Sequence, residues 1–554
     1  MNESPSPQPP AFAQGALLGA LTMPALMALL ALTHTLLGLP FLPLDVLDWL
    51  ARALPGPLVT FGVDSLVAAL LALGLGATID SAAKLAEQIM ALSLFWIAGL
   101  LLVSLLFALR QRGQKAGVGA LLGLAAAVPL ILILPSVQFL TQADPLLSAA
   151  WVLLVLVSYF SLMSRAYDAL RPVPAPEAAQ SGAALKTLDR RSFLIGLGGA
   201  SAVLTVVGAG LSALLARRDE PELVLTTPRP RPDPLTIVDG QGNPLPNAAD
   251  PLVPAPGTRP EYTPVADHYR IDINTRPVEI RAQDYRLQIV GKVENPVEWT
   301  LDEIYAMPTA DAFITMACIS NPIGGSLIST TKWTGVPMRE VLARVKPAAD
   351  AVALHIFGED GFDEYLPLAW IEADERIMLC HSFDGAPLPV KNGFPLRVHI
   401  PDRYGMKQPK WITRIEVVSR AGEGYWVRRG WSADAFVRAT SVIDTVAVDS
   451  AYERDGILYV PIGGIAWAGA RGVGKVEVQV DDSGWQEAAL RAPLSERTWV
   501  IWRYDWPFSE GRHRFTVRAT EADGTPQIRE EAPVRPDGAT GYHSQAVTLR
   551  APGT

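Results

Sequence analysis

Ala312-Phe313-Ile314-Thr315-Met316-Ala317-Cys318-Ile319-Ser320-Asn321-Pro322-Ile323-Gly324-Gly325 is an apolar run that reaches a cysteine and opens into small residues. Ala312 to Met316 reads as a strand, and the continuation after Cys318 as a loop whose backbone can approach a ligand closely. A lone cysteine at a strand end is either a small buried apolar residue or a thiolate that serves as metal ligand or nucleophile. A nucleophile needs a histidine base, and no local cysteine-protease signature is present. A soft metal needs only one protein thiolate if a sulfur-bearing cofactor supplies the other ligands. The second cysteine, Cys380, lies in the apolar run Ile377-Met378-Leu379-Cys380 and reads as an inert core residue. Two cysteines exclude a disulfide framework and an all-cysteine zinc or iron–sulfur site.

Around this segment the pattern is mixed α and β. Tyr285 to Gly291 alternates like a strand and ends in a glycine turn, and Thr300-Leu301-Asp302-Glu303 has the form of a helix capping box. Residues 441–554 read as short alternating strands with turn signals, as in an antiparallel sandwich.

Upstream the composition changes. The chain of 554 residues has 47 Lys and Arg and 56 Asp and Glu, of which only 13 precede residue 166. Apolar runs of spanning length, about 20 residues, recur at 15–38, 58–79, 88–109, 118–138, 147–164 and 193–215, predicting about six membrane spans. Arg110, Arg112 and Lys115 form one basic loop; Arg165, Arg171, Lys186, Arg190 and Arg191 form another. The positive-inside rule puts both on the cytoplasmic side, so the last span runs outward and the remainder of the chain is extracytoplasmic. Counting back through six spans puts the N-terminus outside as well, or inside if one of the first two is re-entrant. Asp64 falls within 58–79 and reads as either a functional intramembrane carboxylate or an interfacial one. Leu188-Asp189-Arg190-Arg191-Ser192-Phe193-Leu194 fits either a charged stop or a twin-arginine export signal; the Phe-Leu continuation and the five glycines of 196–210 favour export of a folded domain. Residues 221–264 hold 12 of the 46 prolines, an extended spacer or a surface-hugging arm. The net charge of −9 argues against nucleic acid as partner. Of seven histidines only His34 falls in a predicted span, so an intrinsic haem, which needs paired histidines, is not expected.

Met316 to Gly325, followed by Lys332-Trp333-Thr334-Gly335-Val336-Pro337-Met338, resembles the molybdenum-cysteine segment of the sulfite oxidase family. Asp384-Gly385-Ala386-Pro387-Leu388-Pro389, Asn392-Gly393-Phe394-Pro395-Leu396-Arg397-Val398, Ile400-Pro401, Tyr404-Gly405-Met406-Lys407 and Lys410-Trp411-Ile412 are similar to its cofactor-wrapping segment, in the right order and spacing. Gly463 to Gly469, Lys475 to Asp481, Trp485, Trp499 and Trp502 resemble the immunoglobulin-like domain that follows. The resemblance covers about 265–550. Outside it, the apolar runs and basic loops delimit a helical membrane region over 1–216, with the twin-arginine-like segment at 188–194, and the proline content a linker over 217–264. The resemblance implies an α+β molybdopterin-binding domain over 265–440 and an immunoglobulin-like sandwich over 441–554, through which a homodimer could form. It also implies a molybdopterin cofactor with Cys318 as the metal's protein ligand and oxygen-atom transfer on a small substrate. Electrons would pass singly to or from an external carrier, a cytochrome or quinone. Lys407 and Lys410 match positions that hold the cofactor's phosphate and pterin. Ser320, Asn321, Tyr404 and Gly405 lie within the matching segments, and His268 and Asn274 sit where the family approaches its cofactor from the N-terminal side. Arg397 is a further candidate, against the alternative of a surface ion pair.

The chain departs from the family at the substrate side. Ser320-Asn321-Pro322 stands where sulfite oxidases have glycine-asparagine-arginine, and Phe362 falls where they have a tyrosine. Lys407-Gln408 replaces an arginine-histidine pair. An oxyanion needs paired donors, so sulfite and nitrate are not the expected substrates. A methionine sulfoxide reductase-like enzyme outside the cytoplasm is one alternative, and a non-catalytic membrane protein that retains the fold is another.

Overall fold

The computed structural model describes residues 12–72, 79–137, 143–170, 190–216 and 238–550. Residues 171–189, with much of the second basic loop, and 217–237 of the Pro-rich linker lie outside the described residues, as do the side chains of Arg190 to Leu194. The N-terminal helices are α1 (Phe12–Leu37), α2 (Leu42–Ala53), α3 (Gly56–Ala72), α4 (Ile79–Gln111), α5 (Val118–Ile133), α6 (Pro145–Ala169) and α7 (Arg190–Ala216). The chain divides into two compact units. One comprises Met1–Leu54, Lys84–Leu225 and Asn274–Arg276; the other comprises Pro55–Ala83, Thr226–Ile273 and Pro277–Thr554.

In the first unit, five helices among the described residues are long and apolar enough to cross a membrane: Phe12–Leu37, Ala82–Gln111, Val118–Ser136, Pro145–Ala169 and Ile195–Ser212. The expected span at 58–79 is not among them. It is the 17-residue helix α3, which clusters with the second unit. Its first residue, Gly56, lies against the backbone of Arg429, and Leu66 packs against the buried cluster that includes Cys318. Asp64 lies on this helix, with its side chain outside the described residues. An apolar run predicts burial, and here the burial comes partly from protein.

Small residues set the helix contacts, as is usual where lipid supplies no hydrophobic drive between helices. A Cβ on Gly119 of α5 would lie 2.5 Å from the Phe160 carbonyl of α6, and one on Gly123 would lie 2.7 Å from the Cα of Val157. These pairings make α5 and α6 antiparallel. Gly15 of α1 meets Ser104 and Phe107 of α4, whereas Met23 meets Gly99, so α1 and α4 are antiparallel too. Ala28 faces Gly208, and Thr35 hydrogen-bonds Ser212 at 2.7 Å, so α7 runs parallel to α1. Arg110 ion-pairs with Asp168, joining the C-terminal ends of α4 and α6. Thus α1 and α7 begin at the end of the bundle that carries the Arg110–Lys115 loop. The N-terminal end of α1 therefore lies at the same end of the bundle as that basic loop, as in the alternative in which one of the first two runs does not span. The parity expected between the two basic loops is retained.

In the second unit the strands are β1 (Arg286–Gly291), β2 (Val297–Thr300), β3 (Ala310–Ala317), β4 (Ile328–Pro337), β5 (Ala353–Gly358), β6 (Asp363–Pro367), β7 (Met378–Phe383), β8 (Ala386–Pro387), β9 (Arg397–His399) and β10 (Ile412–Val418). One sheet has the order β2-β1-β10-β5-β6; the other has β3-β4-β7-β8, with β9 on β7. Thr300 caps the following helix, Leu301–Tyr305, in the expected capping box. With helices 338–345 and 368–373 this makes an α+β domain over a core that includes Leu287, Ile304, Val341, Ile356, Leu379 and Ile415.

The remaining strands are β11 (Thr440–Val446), β12 (Tyr452–Arg454), β13 (Ile457–Trp467), β14 (Val473–Val480), β15 (Gln486–Glu487), β16 (Ala489–Leu490), β17 (Val500–Pro507), β18 (Gly511–Glu521) and β19 (His543–Leu549). They form two antiparallel sheets, β11-β13-β17-β16 with β12 on β13, and β15-β14-β18-β19. Both contribute to one buried cluster, with Val460, Ile462 and Trp502 from the first and Val476, Val478 and Phe515 from the second. The described part of the Pro-rich segment is an arm rather than a spacer. Arg259 forms a bidentate pair with Asp444, and buried Arg491 binds Glu261 at 2.5 Å and the carbonyls of Asn247, Asp250 and Leu252.

Candidate functional site

Strand β3 pairs with β4 along its whole length and delivers Cys318 at its end. Cys318 N–H donates to the Leu327 carbonyl at 3.0 Å, and the Asn321 side-chain oxygen accepts from Leu327 N–H at 2.9 Å. Asn321 therefore closes the loop on itself, and its oxygen shapes the cysteine's surroundings. Ser320 Oγ lies 3.0 Å from Cys318 Sγ. Burial raises the Cys318 thiol above its usual pKa, against the pull of Ser320, nearby backbone N–H groups and Lys410. A metal would have to draw the thiolate out. Gly405 sits close by: a Cβ there would be 3.0 Å from the Tyr269 hydroxyl and 3.5 Å from the Ala317 carbonyl.

A second group of polar residues is buried beside β9. Arg397 is 3% exposed, stacks over Trp333 at 4.7 Å, and donates to the Asn392 carbonyl at 3.1 Å. Among the described residues no carboxylate pairs with it, and its Nε has no partner. The alternative of a surface ion pair is thus overturned. Burial lowers its pKa to about 10. His268 and His399 also flank Trp333, at 6.2 and 5.5 Å between ring centroids. Each engages Nδ1, His268 with the Tyr269 carbonyl and His399 with Gln408 Oε1, and each has Nε2 buried without a partner. Burial depresses both to about 3, so both rings are neutral. Asn392 Oδ1 is likewise unpartnered. Lys410 donates to Asp272 at 3.1 Å and to the carbonyls of Ile271 and Lys391 at 3.3 Å. Burial pulls it down to about 8 against the attraction of Asp272.

Other candidates are placed differently. Lys407 forms a buried ion pair with Glu364 at 2.7 Å, and Glu364 Oε2 has no partner. The Tyr404 hydroxyl accepts from Arg438 N–H at 3.1 Å, which turns it toward the C-terminal strands. Phe362 lies in the turn between β5 and β6 with its ring 5.5 Å from Tyr425. Asn274 belongs to the first unit, where Arg52 and Lys84 bind it. His34 has both ring nitrogens engaged, with the Leu39 carbonyl and Arg276. Cys380 is fully buried in β7 and its thiol is pushed up to about 12 by burial. Cys380→Ala is expected to leave activity unchanged and to cost about 1–2 kcal/mol in denaturant unfolding, as for a small cavity.

The oxidoreductase molybdopterin binding domain family matches residues 274–426. Mitochondrial sulfite oxidase of Mus musculus is 28% identical over 264 residues, 40% of this chain and 48% of that protein. A proposed protein-methionine-sulfoxide reductase subunit of Azospira oryzae is 33% identical over 155 residues, 28% of this chain and 56% of that protein. Among solved structures, the sulfane dehydrogenase SoxCD from Paracoccus pantotrophus aligns with a TM-score of 0.46 and 20% identity, over 54% of this chain and 86% of that chain. The chain spans about half the length of the relatives it matches. It carries a molybdopterin-binding oxidoreductase domain, consistent with molybdenum-cofactor enzyme activity, together with helices fit to cross a membrane.

The buried residues suit such a group. A phosphate-bearing pterin presents anionic oxygens and a heterocycle rich in donors and acceptors. Arg397 is a buried guanidinium without a carboxylate, a costly arrangement unless an anion completes it. The two imidazole Nε2 atoms and Asn392 Oδ1 are acceptors, and Arg397 Nε is a donor.

Proposed function

We propose that the chain is a membrane-anchored molybdopterin-dependent oxidoreductase of the sulfite oxidase type, with Cys318 the metal's protein ligand. The observation that carries this is Arg397, a buried cation with no acidic partner among the described residues, in the domain that presents Cys318 at a strand end. When bound, the cofactor supplies two-electron oxygen-atom transfer on a small substrate. The chain's own residues hold and shelter it. Arg397 and Lys410 would hold its anionic oxygens, His268, His399 and Asn392 would meet its heteroatoms, and Ser320 would orient the Cys318 sulfur. Lys407, neutralised by Glu364, keeps the 404–407 turn in place. One-electron exchange uses an external carrier, a cytochrome or quinone. The strands after residue 440 form an immunoglobulin-like sandwich, the surface for a homodimer.

The catalytic domain is extracytoplasmic in this reading. The Arg110–Lys115 loop marks one end of the helix bundle as cytoplasmic, and α7 starts at that end and runs away from it. The Arg190-Arg191 pair opens α7 and fits export of a domain folded around its cofactor.

Sulfite is not the substrate. Pro322 and Phe362 leave the substrate side without the arginine and tyrosine of sulfite oxidases. The similarity to the Azospira protein favours a sulfoxide, methionine sulfoxide foremost. A screen with an artificial electron donor or acceptor tests this. Sulfoxide reduction with sulfite turnover near background is the expected result. Sulfite oxidation at the rate of a sulfite oxidase under matched conditions would refute it.

A further inference from the structure

Glu364 is a carboxyl sealed inside the catalytic domain, its side chain 2% exposed. Its Oε1 accepts from Lys407 Nζ at 2.7 Å and from Tyr365 N–H at 2.8 Å. Its Oε2 is buried and, among the described residues, has no partner. Gly424 lies against both oxygens: a Cβ there would collide with them, so the glycine leaves the carboxyl its room. Burial raises Glu364 above the usual carboxyl range, against the attraction of Lys407 and with the support of Asp363 beside it. Asp363 goes the other way: its own burial is outweighed by hydrogen bonds from Arg428 and His355. A buried carboxyl that takes a proton readily, with an oxygen free to carry it, suits acid–base work.

Its place points to the substrate side. Phe362 and Glu364 are two apart where the chain enters β6, which puts them on one face. The pair Gly424-Tyr425 touches both. Gly424 meets the Glu364 carboxyl, the Tyr425 ring lies 5.5 Å from that of Phe362, and Tyr425 N–H donates to the Asp363 carbonyl at 2.9 Å. On its other flank, Lys407 ends the turn whose Gly405 lies against the Ala317 carbonyl, one residue before Cys318. Phe362 lacks the hydroxyl of the sulfite oxidase tyrosine, and Glu364 offers a proton-bearing group on the same face. Other titratable groups of the site are committed. The His268 and His399 rings, depressed to about 3, are neutral, burial keeps the Tyr269 and Tyr404 hydroxyls protonated, and Lys410 has three acceptors.

A sulfoxide, two electrons and two protons give a thioether and water. The S–O bond breaks, the sulfur is reduced and the oxygen leaves as water. The electrons come from the external carrier, one at a time. We infer that Glu364 Oε2 supplies the protons: it hands each to the departing oxygen and is reloaded from water, and Lys407 sets how firmly it holds them. The inference rests on the proposed sulfoxide reduction.

The test uses the full chain in detergent, loaded with cofactor, with methionine sulfoxide and an artificial electron donor. The acid must be protonated to act, so wild-type kcat should fall as pH rises through the titration of Glu364. Glu364→Gln keeps the shape without the acid proton. It is expected to lower kcat roughly 100-fold on the acid side and to lose that limb, at unchanged KM and molybdenum content. Lys407→Met removes the charge that favours the carboxylate, so the limb should move to higher pH. Infrared titration of the same protein without substrate should show a carboxyl that loses its proton over the pH range of the limb and is missing in Glu364→Gln. Wild-type kcat in the glutamine variant would overturn the inference. So would a uniform loss that keeps the limb, which would make Glu364 merely structural. If Glu364→Gln does not fold, Lys407→Met decides, and an unmoved limb overturns the inference. A wild type that leaves methionine sulfoxide unreduced would overturn the substrate reading, whereas an active wild type without the limb would overturn the proton role alone.

Discussion

Replacing Cys318 by serine is expected to abolish turnover and leave the fold intact. The two side chains are nearly isosteric, and Cys318 is buried at the end of a fully paired strand, so little packing is lost. What changes is the donor. A thiolate is a soft, strongly binding ligand, whereas a serine hydroxyl is hard and stays protonated. The Cys318→Ser protein should therefore show an altered metal spectrum with a circular dichroism spectrum like the wild type. Unchanged turnover would remove Cys318 from the chemistry and leave it a core residue like Cys380.

Replacing Arg190 and Arg191 together by lysine is expected to strand the soluble part on the cytoplasmic side. The charge at the start of α7 is retained, so a simple positive-inside effect would be unaltered. A receptor that reads guanidinium groups would not accept the ammonium groups, because the two differ in planarity and donor geometry. Protease added to cells stripped of their outer layer reports the outcome. Digestion of the wild type with protection of the double-lysine variant is the predicted result. Equal digestion would mean that export does not use the pair, and protection of both would reverse the topology.

The sequence was legible where local chemistry and pattern coincide. Thr300 and Glu303 announce a cap and form one; the apolar run 312–316 that leads into Cys318 reads as a strand and lies within one. It was less legible where burial has more than one source. The apolar run at 58–79 satisfies a hydropathy criterion, yet its helix is 17 residues long and packs partly on protein. Counting that run as a span puts the N-terminus outside, and leaving it out puts the N-terminus inside, so the two alternatives turn on this one element. The site shows the same limit. Arg397 and His399 lie two apart on one strand, so they share a face, and that spacing was the available signal for His399. Whether such a face is solvated or sealed depends on Trp333, 64 residues before Arg397, which no local pattern reveals. Lys407 offered a cation for the cofactor, but its partner Glu364 lies on β6, far from it in sequence.

The central claim is that this folded chain holds molybdenum, and metal analysis of the purified full-length protein tests it most directly. The predicted result is one molybdenum per chain, with the pterin released on denaturation and the metal's spectroscopic signature altered in Cys318→Ser. Folded protein with no molybdenum, after production in cells that make the cofactor, would contradict it.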